Sequence, residues 1–300
     1  MTNSSKPLLF FGNERLVSGL KTTNAPVLRA LIDHGYTIAA VVSHHSDGKS
    51  RNNRELEVAQ VAQQHNIPVL LPNRPSEVRE ELIAFGAEAA ILVAYGRIIP
   101  QSIIDIFPKG IINIHPSLLP SYRGPTPIES AIANGDDQTG VSIMQLTAGM
   151  DEGPVYAQAT VPLLGTETKF DLYEKLSDAS VELLLKVLPT ILDGSLQPTS
   201  QNDSKATYCQ LLSKTDNQLS PTTFTAIDAE RQVRAHLGFP KTKTTVLGHD
   251  IIITKAHVAT EPKTPLDIEC RDGAFLSVDE LIAPSGRVMS GEAFLRGYAA

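Results

Sequence analysis

Ala89-Ala90-Ile91-Leu92-Val93-Ala94 is an apolar run with no polar residue in it. It is too short for a self-burying helix and too uniform for a strand with one wet face, so it reads as a strand covered on both sides. Working outward from it gives the same rhythm. Upstream, Leu8–Phe11 reads as a strand, Pro26–His34 as a helix ending near Gly35, Thr37–Val42 as a strand, Arg54–His65 as a helix and Val69–Leu71 as a third strand. Downstream, Ile111–His115 is another buried strand that runs straight into a polar, Pro-rich turn. Short buried strands alternating with helices predict a Rossmann-like α/β fold with a mostly parallel sheet. In such open sheets ligands collect beyond the carboxyl ends of the strands, which points to the loops after Phe11, Ala94 and His115.

The apolar spacing of Phe170, Leu172, Leu176, Val181, Leu184, Leu185, Leu188 and Leu192 predicts a long amphipathic helix over 169–192, stopped by Gly194. The polar stretch Gln197-Pro198-Thr199-Ser200-Gln201-Asn202-Asp203-Ser204 reads as a linker. Beyond it the pattern changes to alternation over Thr245–His257 and Leu266–Leu281, with Gly248, Gly273 and Gly286 at turns. That predicts a small β-barrel, OB-like and without long helices. The expected division is 1–196, a linker at 197–205, and 206–300.

Composition excludes several classes. With 42% hydrophobic and 20% charged residues, the 300-residue chain is neither disordered nor fibrous. A net charge of -7 argues against a protein that holds nucleic acid by blanket phosphate neutralisation, so a nucleic-acid partner would need a local basic patch. Residues 206–300 carry 10 basic and 11 acidic side chains out of 26 and 33 overall, which leaves most of the acid surplus in the first part. Cys209 and Cys270 lie far apart with no Cys-x-x-Cys pair, as expected of core cysteines in a reducing cytoplasm. No apolar run approaches the ~20 residues of a membrane span.

Chemistry concentrates in Asn113-Ile114-His115-Pro116-Ser117-Leu118-Leu119-Pro120-Ser121-Tyr122-Arg123-Gly124-Pro125. Asn113 and His115 are two apart at a strand end, so their side chains share a face. Together they either polarise one carbonyl oxygen or simply close a strand and cap a turn. Asp151, in Gly149-Met150-Asp151-Glu152-Gly153-Pro154, is either a solvated turn residue or a carboxylate that orients His115 and favours its imidazolium. Arg123 either clamps a substrate phosphate or pins its own loop. His44 and His45 are read as exposed loop residues rather than metal ligands, and Lys241, Lys243 and Lys255 as scattered surface lysines.

The ordered signature from Asn113 to Gly153 (Asn-x-His-x-Ser-Leu-Leu-Pro-x-x-Arg-Gly, then Pro-Ile, Thr-Gly-Val and Met-Asp-x-Gly) resembles that of the folate-dependent formyltransferases. Ala94-Tyr95-Gly96-Arg97-Ile98-Ile99-Pro100 resembles the folate-side loop of that family. Lys205-Ala206-Thr207-Tyr208 with Leu212-Ser213-Lys214, and later Cys270-x-Asp272-Gly273, Gly286-Arg287-x-Met289 and Phe294-Leu295-Arg296-Gly297, resemble the join and the barrel of members that act on initiator methionyl-tRNA. The resemblance implies catalytic roles for Asn113, His115 and Asp151. It places Ser117, Leu118, Leu119, Pro120, Tyr95, Gly96 and Ile98 against tetrahydrofolate. The implied reaction passes a formyl group from 10-formyltetrahydrofolate, as co-substrate, to an amine, with no metal. The implied partner is initiator methionyl-tRNA, met by Lys49, Arg51 and Arg54 in the 46–54 loop and by the C-terminal barrel of a monomer, with no membrane. The sequence departs from the family in having Gly12-Asn13-Glu14-Arg15 after the first strand, where Gly-Thr-Pro is usual, and in lacking Trp. Two other readings share these residues: transfer to a nucleotide-linked amino sugar or to glycinamide ribonucleotide, and a non-catalytic RNA-binding protein. The 206–300 region speaks against the small glycinamide enzymes, and the complete Asn-His-Asp set against a silent binder.

Overall fold

The computed structural model describes residues 6–20, 22–44 and 56–298. The first part contains β1 (Leu8–Gly12), α1 (Pro26–Asp33), β2 (Ile38–Val42), α2 (Glu57–Gln64), β3 (Val69–Leu70), α3 (Arg79–Ala84), β4 (Ala89–Val93), α4 (Gln101–Ile104), β5 (Ile111–His115), α5 (Pro127–Asn134), β6 (Gln138–Gln145), β7 (Val155–Pro162) and α6 (Lys169–Leu192). The second part contains α7 (Ala226–Ala235), β8 (Thr242–Val246), β9 (His249–Ala259), β10 (Asp267–Glu269), β11 (Phe275–Ile282), β12 (Val288–Ser290) and α8 (Gly291–Tyr298).

The expected α/β architecture is present. Seven strands form one sheet in the order β3-β2-β1-β4-β5-β6-β7. The first five run parallel, whereas β6 lies antiparallel to β5 and β7 to β6. The unbroken apolar character of β1 and β4 has its expected cause, because every residue of both strands is buried. Leu8, Phe10, Ile91, Ile112 and Ile114 face one layer, where α1 and α6 contribute Leu28, Leu31, Leu172, Leu176, Leu184 and Leu188. Leu9, Phe11, Leu92, Tyr95 and Ile103 pack on the other face. Each such large side chain, moved out of water, contributes roughly 2 kcal/mol.

Helix α6 spans the residues that the periodicity predicted. Thr168 and Asp171 define its start through a capping box: Thr168 Oγ1 accepts from Asp171 N at 3.3 Å, and Asp171 Oδ2 accepts from Thr168 N at 2.9 Å.

In the second part, five antiparallel strands curl into a half-barrel. β9 and β11 are its long centre, and β10 and β12 divide the far edge of β11 between them. Residues Leu247 and Gly248, both left-handed at φ 52° and 74°, close the β8–β9 hairpin. Helix α7, which the alternation did not announce, precedes these strands; its buried stripe is only Ala226, Ala229, Gln232, Val233 and Ala235, too small and polar a set to signal a helix. The polar stretch after α6 is tied to the sheet, because Thr199 exchanges both backbone hydrogen bonds with Val155 of β7 at 2.8 Å.

Thr168→Ala removes the cap of the longest helix without touching the core. Urea unfolding of this variant should show a loss of about 1 kcal/mol, the usual worth of such a cap, with an unchanged m-value.

Candidate active site

Asn113 and His115 stand at the end of β5, on the face that carries Ile111, Leu92 and Tyr95. Both are 5% exposed. No described group hydrogen-bonds the Asn113 side chain, so its amide donors are free to meet another molecule.

His115 sits between two acceptors. Its Nε2 lies 2.9 Å from the carbonyl oxygen of Tyr122, an arrangement that places a proton on Nε2. Its Nδ1 faces Asp151 Oδ2 at 3.7 Å. The residues supplying these acceptors are both left-handed, Tyr122 at φ 57° and Asp151 at φ 52°. Such conformations are unfavourable for non-glycine residues and persist only where their surroundings impose them.

Those surroundings are visible. The segment 206–209 runs beside the active-site loop: Tyr122 N donates to Thr207 Oγ1 at 2.8 Å, Arg123 N to Thr207 O at 2.9 Å, and Cys209 N to Arg123 O at 2.9 Å. Gly124 N donates to Asp151 Oδ2 at 2.9 Å, and Gln201 Nε2 donates to the carbonyls of Asp151 and Gly153, both at 2.7 Å. Arg123 is 1% exposed, and its guanidinium is spent on Gln201 Oε1 (3.0 Å), Tyr208 OH (3.0 Å) and Asp203 Oδ1 (2.6 Å). These partners are side chains of the 201–208 segment and not backbone carbonyls of its own loop, so the guanidinium ties the loop to that segment. Gln201 and Asp203 had no signal in the sequence beyond a polar stretch, because their partner lies 78 and 80 residues away.

The turn after His115 is equally fixed. Ser117 Oγ donates to Ser121 O at 2.6 Å, Ser142 Oγ donates to Ser117 O at 2.6 Å, and Leu119 N donates to Ser142 Oγ at 3.0 Å. Gln158 Nε2 donates to Leu119 O at 2.9 Å, and Thr207 N to Pro120 O at 3.1 Å. Ser117 and Leu119 are buried, whereas Leu118 and Pro120 are partly exposed. On the loop after β4, Tyr95 is buried against Phe11, and its hydroxyl has no hydrogen-bond partner among the described residues. Gly96 is exposed at φ 71°, and Ile98 is 86% exposed. His44 is half-buried rather than exposed, with Nε2 2.7 Å from Tyr95 O. Lys49, Arg51 and Arg54, like His45, lie outside the described residues. Among the described residues no three His, Cys, Asp or Glu side chains converge as a metal-ion site, and no helix is long and apolar enough to cross a membrane.

A buried amide donor and an imidazole on one strand end, with a carboxylate brought to them from a distant loop, form a site suited to acyl transfer. The sequence profile of the formyl transferase family matches residues 15–188, and the chain belongs to that family. Within it, the chain is similar over nearly its whole length to methionyl-tRNA formyltransferases. It is 32% identical to that of Pelobacter propionicus, over 98% of this chain and 94% of the relative. It is 37% identical to that of Chloroflexus aurantiacus, over 91% and 93%. Among solved structures, HypX from Aquifex aeolicus in complex with tetrahydrofolic acid shares the fold, with a TM-score of 0.68 and 19% identity over 98% of this chain and 48% of that one.

The departure at Gly12-Asn13-Glu14-Arg15 has a physical account. Helix α1 begins after Ala25, which has no capping side chain. Glu14 caps it from outside, accepting from Val27 N at 2.8 Å and Leu28 N at 2.9 Å. Its carboxyl is 1% exposed, and burial pushes its pKa up to about 7 despite those two bonds. Arg15 turns the other way, onto both carboxylate oxygens of Glu57 at 2.8 and 3.0 Å. Because the folded pKa of Glu14 exceeds its unfolded value, its protonation favours the fold fully below about pH 4.5, and that contribution is lost as pH rises through about 7. The loss amounts to about 3 kcal/mol. Glu14→Gln should therefore flatten the fall in Tm between pH 5 and 8; parallel Tm–pH curves for the two proteins would refute the assignment.

Proposed function

We propose that the chain transfers the formyl group of 10-formyltetrahydrofolate to the free amine of methionine on initiator tRNA. In this reading residues 1–196 form the catalytic unit, 197–205 the linker and 206–300 the part that grips tRNA, in a cytoplasmic monomer. The observation that carries it is the meeting of Asn113, His115 and Asp151, with Asp151 Oδ2 3.7 Å from His115 Nδ1. The near-full-length similarity to methionyl-tRNA formyltransferases supports the choice of acceptor.

The chemistry follows from where the donors stand. The amine lone pair attacks the formyl carbon, and the carbonyl electrons move onto oxygen. The uncommitted amide of Asn113 donates to that oxygen. His115 Nε2 is tied to Tyr122 O, which leaves Nδ1, too far from Asp151 for a direct hydrogen bond, as the ring nitrogen turned to the reaction. Nδ1 donates there in the imidazolium form, and one preorganised donor such as this or the Asn113 amide is worth about 3 kcal/mol in the transition state. Asp151, whose side chain is 18% exposed and so the most open of the three, accepts the amine proton directly or through water. The oxyanion's electron pair then re-forms the carbonyl as the carbon–N10 bond breaks, N10 keeps that bond's electron pair and takes the proton held by Asp151 directly or through water, and tetrahydrofolate leaves. The pinned turn Ser117–Pro120 and the loop bearing Tyr95, Gly96 and Ile98 are the two sides proposed to receive the folate. The exposed Ile98 offers it an apolar surface.

The deciding assay offers charged initiator tRNA, charged elongator methionine tRNA and a nucleotide-linked amino sugar with 10-formyltetrahydrofolate. The initiator tRNA should be formylated fastest, and activity on the sugar alone would overturn the reading. His115→Ala should lower kcat by two to four orders of magnitude with folate affinity retained, because the lost interaction exists only in the transition state. Replacing Lys49, Arg51 and Arg54 together by Ala should weaken tRNA binding and flatten its dependence on salt. An unchanged salt slope would move the tRNA surface elsewhere.

A further inference from the structure

Away from the active site, a second group of charges is buried where the two parts of the chain meet. Lys169, the first residue of α6, is fully buried, and Glu129, in the first turn of α5, is 4% exposed. Lys169 Nζ donates to Phe239 O at 2.7 Å, to Ser18 Oγ at 3.3 Å and to Glu129 Oε1 at 3.4 Å. One ammonium thus joins three segments: the loop after β1, the helix that follows the active-site turn, and the loop that leads into the half-barrel. Among the described residues Glu129 Oε2 has no hydrogen-bond partner.

The surfaces around this lysine are polar and close. Gly19 and Gly238 pack backbone on backbone, so that a Cβ on Gly19 would stand 2.8 Å from Gly238 Cα. The Arg231 guanidinium lies on Gly135, where a Cβ would come within 2.1 Å of its Cζ. Arg234 NH1 donates to Glu167 O at 2.7 Å, while its Nε and NH2 hold Glu230. His236, on the same loop as Phe239, has its pKa pushed down to about 4 by burial and then by the Lys169 charge.

Stability alone does not explain a buried lysine here, because a buried ion pair usually does no better than apolar side chains of the same volume. What the pair supplies is direction. An apolar contact can slide, whereas an ammonium with three acceptors set by three segments allows one arrangement. Two of those segments lead toward the candidate site: the loop bearing Ser18 follows the carboxyl end of β1 at Gly12, and α5 starts three residues after Gly124, whose N–H holds Asp151.

We propose that Lys169, through its bonds to Glu129, Ser18 and Phe239, is the positioning residue that holds the half-barrel at a fixed angle to the catalytic face. An acceptor long enough to touch both parts is thereby kept in register with the active site. This rests on the reading of 206–300 as the part that grips tRNA. An acceptor that reaches only the active site does not depend on the joint.

Lys169→Met alone leaves Glu129 as an unpaired buried charge, so the informative protein is the double variant Lys169→Met with Glu129→Met, which removes both charges at similar volume. Steady-state kinetics would compare charged initiator tRNA with a methionyl-CCA trinucleotide, and Tm with and without folate would confirm that the variant is folded. The expected result is a KM for the full tRNA raised at least tenfold with kcat within about twofold, and kinetics on the trinucleotide unchanged. A folded double variant that keeps the normal KM for tRNA would overturn the proposal alone. So would an equal loss on both acceptors, which would make the pair a general structural support. If the unaltered enzyme used the two acceptors equally well, the reading of 206–300 as a tRNA grip would fail, and the proposal with it.

Discussion

The meeting of Asp151 with His115 depends on holding Asp151 against a direction that the sheet does not favour. β6 runs antiparallel to β5, so Gln145 pairs with Ile112 near the start of β5, while His115 at its end pairs with Ser142. The loop from β6 to β7 therefore leaves the sheet at the end opposite His115, yet its middle returns to place Asp151 Oδ2 3.7 Å from the imidazole. No regular element carries it there. Gly124 N–H grips its carboxylate, Gln201 grips its backbone, and Arg123 grips Gln201. Arg123 is thus connected to Asp151 by a chain of hydrogen bonds through Gln201.

The same constraint explains why the segment after α6 is polar. A flexible tether needs only solubility, whereas Thr199, Gln201 and Asp203 each have a partner in the first part of the chain. The segment at 206–209 then lies along the active-site turn and satisfies the backbone of Pro120, Tyr122 and Arg123. Two left-handed residues are held at the centre of this web. Their strain is small beside the number of bonds that would have to break to relieve it. Covalent continuity between the parts is therefore also positional continuity, from the half-barrel to the imidazole.

How much of this could be read in the sequence depended on how local the cause was. The buried strands and α6 were legible because their apolar pattern is written in consecutive residues and confirmed by a cap at Thr168. Asn113 and His115 were legible as a pair because strand geometry alone puts alternate residues on one face. The role of Asp151 was open from its own neighbourhood, since a turn aspartate between glycines looks the same whether solvated or catalytic; the ordered signature suggested the pairing. α7 was hidden by a buried face made largely of alanine. Gln201, Asp203 and Glu14 were hidden for a different reason: each acts on a partner far along the chain or caps a helix it does not belong to, and no local pattern encodes that.

Burial also changes what the net charge of -7 means. Arg123 and Lys169 are inside the protein, and Arg15 and Arg234 are held by Glu57 and Glu230. These cations build the molecule and offer little to a polyanion outside it. Glu14 and Glu129 are buried as well, and burial raises the pKa of each. The outward electrostatics are therefore set by a smaller set of groups than the composition suggests. In the proposed reading, a tRNA is met by the cations that remain outside, and the slope of its affinity against salt counts how many of them touch phosphate. Charge of that kind attracts any polyanion alike, whereas a rigid joint between the two parts of the chain acts only on an acceptor long enough to reach both.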